Sequence, residues 1–118
     1  MIIENHSWYS LKKPQVYSQR TITTLFKGIS GCYIIVLSNT ILYIGMSKNI
    51  YNRILFHKSN GGIFYAFDWD TLLIIPSDEY KELERYLIHT YKPTYNGRLT
   101  GNIYKKKPEH IISHSKTF

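Results

Sequence analysis

Two short apolar runs, Cys32–Leu37 and Ile41–Ile44, flank the polar triplet Ser38-Asn39-Thr40, and this pairing constrains the chain more than any other feature. Both runs are rich in β-branched and aromatic residues, which favour a pleated, buried surface, and they predict a β-hairpin. Side chains alternate faces along a strand, so the hairpin register decides whether Tyr33 and Tyr43 stand together. A three-residue loop closing Leu37 on Ile41 sets Tyr33 opposite Gly45 and Ile35 opposite Tyr43, and the tyrosines share a face. A two-residue Asn39-Thr40 turn sends them to opposite faces unless a strand carries a bulge. Thr40 suits a left-handed turn position poorly, and the local sequence leaves both registers open. Taken singly, each tyrosine is explained by packing.

Beyond the hairpin, Ser47 is placed to cap a helix that runs to about Lys58 with Ile50, Ile54 and Leu55 apolar, and Asn60-Gly61-Gly62 breaks it. A third strand fits Asp70 to Ile75 and ends at Pro76. Ser77 then caps a second helix, with Asp78 and Glu79 complementing the positive end of its dipole, and Lys92-Pro93 stops it after Tyr91. The opening segment to about Ser30 is polar and turn-rich, with a short apolar piece around Ile22 to Phe26. The tail beyond Gly101 is basic and weakly patterned.

At 118 residues and 43% hydrophobic, the chain has material for one domain with a single modest core. No apolar stretch reaches membrane-span length, and the first residues lack the layout of a signal peptide, so no membrane partner is expected. Cys32 is the sole cysteine, which excludes an intrachain disulfide and a thiolate metal cage and leads us to expect a reducing, cytoplasmic setting. The net charge of +7 divides into +3 over residues 1–30, −2 over 31–84 and +6 over 85–118. Basic flanks around a mildly acidic centre suit a gripped polyanion, although solubility alone also accounts for them.

Several polar residues stand out against this scaffold. Arg53 and His57 lie four apart on the first helix and project from one face, where a guanidinium fork can grip a phosphate and an imidazole can donate to another oxygen or a water. Tyr80, Leu83, Leu87, Ile88 and Tyr91 form one apolar stripe on the second helix, and Glu84 occupies a position within it. Burying an unpaired carboxylate is costly, so a basic side chain or a bound Mg²⁺ is needed to keep it ionised. Asn96 sits in a turn between Tyr95 and Gly97, which alone explains it. His110 and His114 lack a third ligand and read as tail residues, while Asp68 and Asp70 read as exposed residues at a strand start.

Taken in order, Gly31-Cys32-Tyr33, Tyr43-Ile44-Gly45, Arg53, His57, Glu84 and Asn96 resemble the GIY-YIG nuclease superfamily. Cys32 replaces the usual isoleucine of the first triplet, and the second triplet is intact. The stretch from Tyr43 to Arg53 is similar to the family's strand–turn–helix, and Glu84-Arg85-Tyr86-Leu87-Ile88 followed by Pro93-Thr94-Tyr95-Asn96 is similar to its carboxylate helix and closing asparagine. The resemblance covers residues 31–97. It leaves residues 1–30 as a basic extension packing on or flanking that core, and residues 98–118 as a basic tail.

The resemblance implies a small α/β fold, a three-stranded, mostly antiparallel sheet flanked by helices. It also implies hydrolysis of DNA phosphodiesters with one divalent metal ion, Mg²⁺ with Mn²⁺ able to substitute. By that analogy Glu84 binds the metal, Arg53 supports the phosphate, and Tyr33 is the general base. Tyr43 and His57 orient water and phosphate, and Asn96 braces the site or the backbone. Lys48, Arg98, Lys105, Lys106 and Lys107 are candidates for tracking the DNA backbone. No zinc finger or helix-turn-helix is evident, which leaves DNA shape, a transient homodimer or a separate specificity partner to direct cutting. A catalytically silent nucleic-acid-binding module on the same scaffold is the alternative, and an unrelated α/β interaction domain is a third.

Overall fold

The computed structural model describes residues 7–18, 25–59 and 62–96. Strand β1 (Tyr9–Lys12) runs into a single-turn helix α1 (Lys13–Val16). The hairpin follows as β2 (Gly31–Leu37) and β3 (Thr40–Ser47), then helix α2 (Ile50–Lys58) and a 3₁₀ turn at Ile63–Tyr65. Strand β4 (Thr71–Pro76) and helix α3 (Tyr80–Tyr91) complete the order. The strands form one sheet, β1-β4-β2-β3, antiparallel throughout.

The fold is the expected small α/β class with four strands rather than three. The additional strand is β1, of which only Leu11 is buried, so its alternation leaves little trace in the sequence. It pairs with the free edge of β4, Leu11 opposite Leu72.

The two central strands are covered on both sides, which is why they read as continuous apolar runs. Cys32, Ile34, Val36, Leu73 and Ile75 face α3 and meet Leu83, Tyr86, Leu87 and Ile88. Tyr33, Ile35, Leu72 and Ile74 face the opposite way and meet Ile50 and Ile54 of α2, together with Leu11, Val16, Phe26, Phe64 and Trp69.

The hairpin resolves the register left open by the sequence. Ser38 and Asn39, not Asn39 and Thr40, are the two turn residues, both at positive φ (48° and 68°) as a tight hairpin turn requires. Leu37 pairs with Thr40 and Val36 with Ile41, whereas Ile35 pairs with Tyr43 and Tyr33 with Gly45. The register shift leaves Leu42 as the extra residue of a bulge, and this restores Tyr33 and Tyr43 to one face. Serine is a poor choice for a left-handed position, and Asp70 supports it: the Ser38 N–H donates to Asp70 Oδ2 at 2.9 Å. That N–H, and the Thr71 hydroxyl donating to Asp70 Oδ1 at 2.8 Å, hold the Asp70 carboxyl below its ordinary range. Asp70 is therefore half-buried and structural rather than exposed, while Asp68 is exposed as expected.

Helix starts differ from the expectation by a residue or two. Ser47 ends β3, and its hydroxyl accepts from the Asn49 N–H at 3.0 Å, so Asn49 becomes the cap of α2, accepting from the Asn52 N–H. Ser77 accepts from the Glu79 N–H and turns the chain toward α3, which begins at Tyr80. Lys92 ends α3 in a left-handed conformation, its N–H bonded to the Ile88 carbonyl, directly before Pro93. The break read at Asn60-Gly61-Gly62 and the apolar piece from Ile22 lie partly outside the described residues.

Strand β3 lies at the sheet edge, and the segment after α3 covers it. Tyr95 N–H donates to the Leu42 carbonyl at 2.9 Å. The Asn96 carboxamide accepts from the Ile44 N–H and donates to the Ile44 carbonyl, both at 2.8 Å. Asn96→Ala leaves two buried backbone groups unsatisfied and should destabilise the fold by about 2–4 kcal/mol. The check is a lowered urea midpoint at unchanged m-value.

Candidate active site

Tyr33 projects from the centre of β2 toward α2, and two glycines give it room. A Cβ on Gly45, its cross-strand neighbour, would overlap the phenol end of Tyr33, so the glycine leaves the space that end occupies. A Cβ on Gly31 would collide with the backbone of Ile75 and Pro76, so that position lets β2 and β4 close at their ends. The two glycines of the paired triplets thus have separate steric reasons.

The short helix α2 buries Ile50, Ile54 and His57, which recur on its inner side. His57 is 5% exposed and Tyr33 2%, and Tyr33 Oη lies 2.8 Å from His57 Nε2. The other imidazole nitrogen, Nδ1, accepts from the Ile63 backbone N–H at 3.3 Å. This network assigns the proton of the neutral ring to Nε2, so His57 donates to the Tyr33 oxygen. Burial and the neighbouring Arg53 charge lower the His57 pKa to about 4, which keeps the ring neutral at physiological pH. Tyr33, Phe56 and Phe64 surround it with ring centroids 5.4–5.5 Å away.

Tyr43 stands beside Tyr33 with centroids 6.2 Å apart. Burial and then Tyr43 push the Tyr33 phenol well above its ordinary pKa; Glu84 adds to the rise and Arg53 opposes it. Tyr43 is also raised, by burial and by Glu84, against the pull of Arg53 and a hydrogen bond with Tyr33. Arg53 itself is exposed, one helical turn before His57. Arg53 and His57, expected to project from one face, divide in the structure: the arginine is exposed to solvent and the imidazole is buried.

Glu84 comes from α3, on the far layer, within the apolar stripe read from the sequence. It is 4% exposed. Burial, and then the Glu84 charge, push the Cys32 thiol well up, and the same charge acts on both tyrosines. Among the described residues no group of three or more His, Cys, Asp or Glu side chains converges to form a protein cage for a metal. A single carboxylate suits a hard cation such as Mg²⁺, which keeps most of its waters and takes substrate phosphate oxygens, and does not suit a zinc-type cage. Glu84 is the residue that could hold it.

The structure therefore brings Tyr33, Tyr43 and His57 together with Arg53 alongside, and places Glu84 within electrostatic reach. Asn96 is 2% exposed, and its carboxamide holds the backbone of Ile44, one residue from both Tyr43 and Gly45. Its geometry is that of a positioning residue. Lys48 lies on the turn before α2, whereas Arg98, Lys105, Lys106, Lys107, His110 and His114 lie outside the described residues. The contribution of Ile63 had no signal in the sequence, since it is made by a backbone N–H.

The small antiparallel α/β domain thus sets a buried tyrosine–histidine pair beside an exposed arginine. Residues 29–96, more than half of the chain, match the GIY-YIG catalytic domain, and the chain belongs to the GIY-YIG family. Searches of curated proteins and of solved structures found no match. No helix among the described residues is long and apolar enough to cross a membrane.

Gly45→Ala should force the Tyr33 ring off β3 and break its hydrogen bond to His57, destabilising the protein by about 1–3 kcal/mol. Chemical denaturation measures the loss. In an NMR titration His57 should move from about 4 toward its ordinary 6.5 as the site opens.

Proposed function

We propose that this chain is a divalent-metal-dependent endonuclease that hydrolyses DNA phosphodiester bonds, with Tyr33 as general base. The observation that carries the reading is the buried Tyr33–His57 hydrogen bond beside the exposed Arg53 guanidinium. A water attacks phosphorus, its proton passes to the Tyr33 oxygen, and the ester P–O bond opposite the incoming oxygen breaks. The Arg53 fork holds non-bridging phosphate oxygens through parallel hydrogen bonds. His57 donates to the Tyr33 oxygen, and this bond is strongest when that oxygen is a phenolate, so it favours the basic form. Asn96 keeps β3, and with it Tyr43, in register. A cation held by Glu84 would supply charge neutralisation at the phosphate and offset the negative field that raises both tyrosines.

Burial works against Tyr33 as a base. A phenol with a pKa well above 10 is almost wholly protonated at pH 7, and below that pKa the phenolate fraction grows tenfold per pH unit. The same burial favours a second reading, a scaffold that binds nucleic acid without cutting it.

Conversion of supercoiled plasmid separates the two. Cutting by the wild type with Mg²⁺, lost with EDTA and in Glu84→Ala, supports the nuclease. Binding without cutting, across several metals and with duplex and branched DNA, supports the silent module. Tyr33→Phe should reduce kcat by about 10²–10⁴-fold. With chemistry rate-limiting, log kcat should rise with pH at a slope near one from pH 6 to 9; a plateau in that range excludes Tyr33 as the base.

A further inference from the structure

Helix α2 presents a second functional face, turned away from the sheet. Asn49, Asn52, Arg53 and Phe56, spaced at i, i+3, i+4 and i+7, lie along it. With Ser47 and Lys48 they line an open groove of about 480 Å³. None of these six residues is acidic, and the groove holds two cationic side chains.

Phe56 is the unexpected member. It is 58% exposed, on a helix that has Ile50 and Ile54 fully buried for packing on the sheet. The Arg53 guanidinium carbon lies 5.8 Å from its ring centroid. A water-facing aromatic ring next to an arginine is the pairing that takes a nucleotide: a base stacks on the ring while the guanidinium holds the phosphate. Lys48, at the other end of the groove, carries the second positive charge that a strand with phosphates on both sides of a sugar would meet.

We propose that this groove seats one nucleotide of the bound strand beside the phosphate held by Arg53, with its base against Phe56 and its other phosphate toward Lys48. The assignment of Arg53 to phosphate rests on the nuclease reading; the base contact at Phe56 is additional to it. A base lying on Phe56 is withdrawn from its own stack, so the seat selects for an unpaired or readily unstacked nucleotide next to the cut.

The test uses thymidine 3′,5′-bisphosphate and its base-free counterpart, deoxyribose 3′,5′-bisphosphate, titrated into the metal-free full chain by calorimetry. The wild type should bind the thymidine compound about tenfold more tightly than the base-free one. Phe56→Ala should abolish the difference, and Phe56→Trp should retain it. Equal affinities in the wild type, a preference that survives Phe56→Ala, or no binding of either compound overturns the proposal. Plasmid cutting reports separately on the nuclease reading. A base preference lost in Phe56→Ala, with no cutting, keeps the seat and removes the chemistry; cutting without a base preference does the reverse.

Discussion

The bulge at Leu42 sets the relation between Tyr33 and Tyr43, and the rest of the site is arranged around that relation. Continued without the bulge, the register started by the Ser38-Asn39 turn would place Tyr43 opposite Ile34, on the side of α3. One extra residue in β3 returns it to the side of α2 and brings Gly45 opposite Tyr33. The arrangement is held at the turn and again in the middle of the strand. Asp70 anchors the turn through the Ser38 N–H, and Asn96 holds Ile44 between the two residues that matter most. Each anchor bears on where the tyrosine pair stands through the backbone it holds.

Around that geometry the charges divide by sign. Arg53 lowers the pKa of His57 and both tyrosines, while Glu84 raises the tyrosines and Cys32. Burial acts on all of them by disfavouring whichever form is charged, so the resting pair is a neutral phenol and a neutral imidazole. The Ile63 N–H on Nδ1 completes the state by directing the His57 proton to the tyrosine oxygen. A backbone group on the loop after α2 thereby fixes the tautomer of a side chain on it.

Much of this was legible because the pattern and the physics coincide. The apolar runs of β2, β3 and β4 and the stripe of α3 follow directly from burial, and Glu84 is conspicuous because a carboxylate interrupts that stripe. The stop at Lys92-Pro93 is likewise local chemistry. The remainder depends on tertiary contacts. Ser38 takes a left-handed position that its own preference disfavours because Asp70, distant in sequence, bonds to it. Ser47 looks like a helix cap, but its hydroxyl serves Asn49 instead. Strand β1 has one buried residue and exists because β4 offers it an edge. The different fates of Arg53 and His57, solvent and core, follow from which side of α2 meets the sheet.

The Asn96 clamp also bears on assembly. A side chain that occupies both backbone groups of Ile44, with Tyr95 on the Leu42 carbonyl, presents to β3 what a neighbouring strand would present. A second copy cannot add its own strand along that stretch, so two sheets cannot fuse through β3 into one continuous ribbon.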